Sequence, residues 1–177
     1  IVGVFLPIFL YEFFDLSIAA VLLWYAINFA VKFPFHVWAA QIFSRTGLIA
    51  SMVFGTLGIM LFYWSFYILD MGSSLNPYVI MTRGIVGLTI VSCFYWSPFH
   101  IDYAQFAPKT SRGAYLARLY AVQQLITVVA PIVAAWVIVS YGYHINFFLG
   151  LILAGASIVP LLFLPPFKVR YEFGFWE

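Results

Sequence analysis

A chain of 177 residues with 65% hydrophobic and 8% charged side chains, and a mean hydropathy of +1.03, cannot build a water-facing surface and is read as an integral membrane protein. A net charge of +2 with no basic run excludes a nucleic-acid-binding surface. The lone Cys93 excludes a disulfide framework and a metal cluster built on thiolates.

In chain order, the first apolar run, Ile1 to Leu10, ends at Glu12. At 1.5 Å per residue, residues 1–11 cover about half of a ~30 Å hydrocarbon core. They are expected to be the outer part of a first helix whose beginning is cut off, in a sequence taken from a longer protein.

A second span is expected over 17–42. Trp24, Asn28, Lys32 and His36 recur there at i, i+4 spacing and so share one slowly drifting face, with Pro34 removing a backbone donor. Lys32 lies near the membrane midplane, where translocon scales put the cost of a Lys at roughly 2.5–3.5 kcal/mol. This face is expected to line a cavity and to contact a solute or take part in coupling. Pairing of Lys32 with an acid outside this sequence, or simple lining of water, would place the same residues there.

Ser44-Arg45-Thr46-Gly47 breaks the pattern, and a third span is expected over 48–69. A turn-rich stretch from Asp70 to Pro77 leads to a fourth span over 78–101. Arg83 stands near its start and Asp102 at its far end. Arg83 is expected either at the cavity or snorkelling to the interface. After the Ala107–Gly113 break, a fifth span over 114–140 carries Gln123, Gln124 and Thr127. Gln123 is a solute-cavity candidate, although buried membrane amides more often bond a neighbouring helix. Tyr141-Gly142-Tyr143 separates it from a sixth span over 144–164. Residues 1–166 thus form one transmembrane bundle, and 167–177 a cytoplasmic tail or the start of a linker.

Lys and Arg outside the membrane follow the even-numbered spans only: Arg45, then Lys109, Arg112 and Arg118, then Lys168 and Arg170. The opposite loops hold Glu12, Asp15 and Asp70. By the positive-inside rule, the loops after even-numbered spans and the C-terminal tail are cytoplasmic, in a plasma or inner membrane. Asp102 is expected to pair with Arg45, Arg112 or Arg118 as a gate at that side, or else to be solvated by headgroup water. All-helical spans follow from the need to satisfy backbone groups in lipid, and short alternating segments of a β-barrel are absent.

Three stretches resemble the N-terminal half of a major facilitator superfamily transporter. Its G-x-x-x-D-R-x-G-R-R motif corresponds to Ala40-Gln41-Ile42-Phe43-Ser44-Arg45-Thr46-Gly47-Leu48-Ile49, where Arg45 and Gly47 match and the Asp and trailing basics do not. Arg83-Gly84-Ile85-Val86-Gly87 and Arg112-Gly113 are similar to its fourth-span and fifth-span patterns. Ala130-Pro131-Ile132-Val133-Ala134-Ala135 keeps the proline of a G-P-x-x-G-G pattern. The resemblance implies an all-α, six-helix bundle that pairs with a missing C-terminal bundle around a central cavity and works by alternating access.

The expected function is therefore secondary active transport of a small solute, with lipid and the second bundle as the other partners and no cofactor or metal. The two cations in spans favour an anionic or zwitterionic solute. No H-x-x-x-H, H-E-x-x-H, G-x-S-x-G or glycine-rich phosphate loop is present to support an enzyme. The alternative is a non-transporting membrane scaffold or partner subunit with the same bundle.

Overall fold

The structure is a computed structural model, and it describes residues 2–70, 72, 76–106 and 112–164. The described residues are helical with short connections. In order they form α1 (Val2–Phe13), α2 (Ile18–Thr46), α3 (Leu48–Asp70), α4 (Pro77–Val91), a π-helical turn (Ser92–Trp96), α5 (Ser97–Phe106), α6 (Arg112–Tyr141), α7 (Tyr143–Ala156) and α8 (Ile158–Leu162). The tail at 167–177, with Lys168 and Arg170, and the Lys109 loop lie outside the described residues.

Five helical stretches are long and apolar enough to cross a membrane: Ile18–Thr46, Leu48–Leu69, Pro77–Tyr103, Gly113–Tyr141 and Tyr143–Leu162. This is the architecture of a multi-pass membrane protein. The five stretches fall on the expected spans, with two differences. Helix α2 continues a full turn beyond 42, so Ser44 and Arg45 are helical and Gly47 (φ 95°) alone makes the break. Ser44 Oγ and Thr46 Oγ1 donate back to Gln41 O (2.8 Å) and Ile42 O (3.1 Å) of the preceding turn. The fourth span also continues past 101 to Phe106 and is interrupted by the π turn.

Local chemistry sets the other ends. Ser17 caps α2 by accepting from Ala20 N (3.2 Å), and Asn76 caps α4 by accepting from Tyr78 N (2.9 Å) with Pro77 following it. Asp15 turns the chain between α1 and α2 at φ 50°, a left-handed conformation that Asp tolerates better than most residues.

Helix α3 is the axis of the bundle and packs along both α4 and α7. Its approach to α4 needs small residues, because a Cβ at Gly87 would stand 2.6 Å from Gly58 O. The largest core cluster joins Phe9 of α1, Trp24 of α2, Phe62 and Phe66 of α3, Ile80 of α4 and Phe147 of α7. Phe9 is its hub, with ring centroids 5.6 Å from Phe66, 5.1 Å from Phe147 and 5.0 Å from Tyr143. Edge-to-face geometry at these distances is the favoured arrangement of aromatic quadrupoles. At the same end Tyr143 OH donates to Glu12 Oε2 (3.0 Å), tying α1 to the start of α7. Helix α6 packs mainly on α7, Ala134 and Val137 are buried, and residues 121–129 are exposed.

Candidate functional site

The face of α2 that carries Trp24, Asn28, Lys32 and His36 turns toward the fourth span, and its members differ in depth. Trp24 and Asn28 are buried, at 4% and 2% exposure, Lys32 is half-buried and His36 is exposed. Trp24 Nε1 and Asn28 Nδ2 have no hydrogen-bond partner among the described residues. The Lys32 ammonium lies 5.1 Å from the centroid of the Phe29 ring on its own helix, a cation–π contact, and among the described residues no carboxylate pairs with it. Three consecutive positions on one face therefore present an indole N–H, an amide NH₂ and an ammonium, all hydrogen-bond donors.

His36 meets the π turn. Its Nε2 lies 3.4 Å from Ser92 Oγ and its Nδ1 3.2 Å from Ser97 Oγ, so both ring nitrogens have a hydroxyl partner. In an α-helix two residues five apart point ~140° away from each other, at ~100° per residue. The i→i+5 winding of Ser92–Trp96 brings both serines to one imidazole.

Pro98 accounts for that winding. It has no N–H to give Phe94 O, and its ring crowds that carbonyl, the usual origin of a local distortion. The freed carbonyl accepts instead from Ser51 Oγ of α3, at 3.0 Å. A Cβ at Gly55, one turn further along α3, would stand 2.6 Å from Tyr95 N, so glycine is required for α3 to approach the turn. From the other side Cys93 Sγ reaches Lys32 O at 3.9 Å. Helix α2, the π turn and α3 are thus bound together through side chains at the depth of Lys32.

The remaining candidates lie apart from this cluster. Arg83 is half-buried on α4 and makes no ion pair among the described residues. Gln123 of α6 is exposed and, with Thr127, faces Tyr95, Trp96 and Phe99 across a cleft of about 260 Å³.

Of the gate residues, Arg45 is exposed in the last turn of α2 and Asp102 is half-buried on α5. Arg118 lies over the Tyr115 ring, 5.9 Å from its centroid. Among the described residues Asp102 makes no ion pair with Arg45 or Arg118, and the Arg112 side chain lies outside the described residues.

Sequence reasoning passed over Ser51, Ser92, Cys93 and Ser97. The available signal was Pro98 inside an apolar span, preceded by two serines five residues apart. The chain matches no protein-family model, no curated protein and no solved structure.

Proposed function

We propose that the chain is a six-span bundle of a secondary transporter of the major facilitator type, which moves a small anionic or zwitterionic solute by alternating access. The observation that carries this reading is Lys32. A half-buried ammonium in the middle of a membrane-spanning helix has an aromatic face beside it and, among the described residues, no counter-charge. A protein that retains such a group against a cost of roughly 2.5–3.5 kcal/mol uses it.

The donors beside it, Trp24 Nε1 and Asn28 Nδ2, give the same face a preference for an acceptor-rich solute. The close Gly58–Gly87 contact, at the stretch that resembles the family's fourth span, supports the family reading. A second bundle would complete the cavity and supply any proton-carrying acid. Arg45, Asp102 and Arg112 would lie at its cytoplasmic end, with the C-terminal tail on that side of a plasma or inner membrane.

Solute uptake into vesicles containing the complete protein tests the proposal, using a panel of small carboxylates, phosphates and amino acids. Lys32→Leu is expected to cut flux by about tenfold or more, the scale of one lost charge-assisted contact worth roughly 1.5 kcal/mol. Lys32→Arg is expected to retain part of it. Wild-type flux in Lys32→Leu would remove the residue from the mechanism. No flux of any solute by the unaltered protein, together with a more stable Lys32→Leu variant, would instead identify a scaffold.

A further inference from the structure

A further cavity lies on a different face of α2 from Lys32. It is a groove of about 490 Å³ between α2, α3 and the fourth span, within the range of ligand-binding pockets. Along α2 its wall runs from Val31 through Phe35, Trp38 and Ile42 to Thr46. At 1.5 Å per residue that is ~22 Å, from mid-span to the interface at the α2–α3 turn. One leaflet with its headgroups measures about the same, half of ~40–45 Å.

The wall is mostly apolar and carries no charged residue, and the Thr46 hydroxyl at its interface end is bonded to Ile42 O. Ser51 Oγ is already engaged with Phe94 O, and the Thr89 hydroxyl is covered, so neither offers a polar contact to an occupant. The mouth opens between Trp38 and Phe54, both about half exposed at 54% and 47%. Charge enters only at the interface end. Arg45 stands three residues beyond Ile42, on the same side of the helix, exposed and without an ion pair among the described residues.

We propose that this groove holds one acyl chain of a bilayer phospholipid, with the lipid phosphate at Arg45. The groove length, its dry lining and a single guanidinium at headgroup depth together match that molecule. A guanidinium recognises phosphate through paired N–H donors. This site is separate from the Lys32 face, and it stands or falls independently of transport.

The test uses the complete protein in vesicles of phosphatidylcholine and phosphatidylglycerol, with a trace of phospholipid bearing a diazirine midway along one chain. Illumination and peptide mapping are expected to find adducts on Phe35–Ile42 and Phe54 several-fold above those on the exposed apolar residues Leu125, Val128 and Ile132 of α6, which do not line the groove. Ala50→Trp, or the milder Ala50→Leu, fills the groove from an exposed position. Each should remove the excess labelling several-fold while α6 labelling stays unchanged, which also reports a retained fold.

Arg45→Gln should lower groove labelling several-fold. Labelling no higher than on α6, or unchanged by both Ala50 variants, would overturn the site. Unchanged labelling in Arg45→Gln would overturn the phosphate contact. Protection of the groove together with photocrosslinks between two copies of the chain would place a second protein there instead, and would also overturn the proposal.

Discussion

Each buried donor left without a partner costs about 1–3 kcal/mol, and among the described residues α2 buries three of them, on Trp24, Tyr25 and Asn28. Such groups weaken the resting fold and strengthen whatever acceptor reaches them. Asn28→Leu is therefore expected to raise thermal stability by about 1 kcal/mol or more, since it removes the buried amide at similar volume. The same change should raise the KM for the solute. Thermal unfolding in detergent and uptake kinetics check the two halves. A fall in stability would show that Asn28 serves the fold. Lys32 was legible in the sequence because a cation among apolar residues stands out in any window. The burial of Asn28 was not, because a helix apolar on all sides carries no periodic mark of which face meets its neighbour.

The π turn belongs to the element scale. Pro98 removes one donor from the fourth span, and three side chains from other positions take up the consequences: Ser51 at Phe94 O, and Ser92 with Ser97 at His36. Pro98→Ala returns an N–H to that carbonyl and replaces the poorest helix former, by about 3 kcal/mol of intrinsic propensity, so the helix itself should gain. Relaxation to α-helical winding would swing Ser92 and Ser97 apart and leave His36 with one hydroxyl. The expected outcome is a changed ¹⁵N resonance at the His36 ring and reduced flux, without loss of helicity by circular dichroism. An unchanged imidazole signal would mean that the turn is held by Gly55 and Ser51 alone. A proline in an apolar run announces a disturbance, but not its type. One extra residue in a turn leaves composition and hydropathy untouched, so the two serines looked like incidental polar positions.

At the scale of the molecule, the span pattern was legible and the packing order was not. The expected intervals coincide with the five long helices because hydropathy and turn residues both record where chain leaves lipid. That α3 is central, and that α6 rests on α7 with residues 121–129 standing clear, depends on contacts between apolar surfaces that look alike in sequence. A cleft also separates α6 from the π turn. If alternating access works there, holding Phe99→Cys to Val122→Cys with a short cleavable bis-maleimide should arrest flux, and cleavage should restore it. Undiminished flux in the crosslinked protein would fix α6 as a static strut.

The turn at Gly47 bears on how the molecule is made. One non-helical residue separates α2 from α3, and the hydroxyls of Ser44 and Thr46 fold back onto carbonyls of the preceding turn. Such a corner is too short to let the first helix settle in lipid while the second is still being threaded. The two must enter side by side, as a pair, and the energetic burden of passing Lys32 through the translocation machinery is then shared with the strongly apolar α3. Biogenesis would read the two helices as a single hairpin.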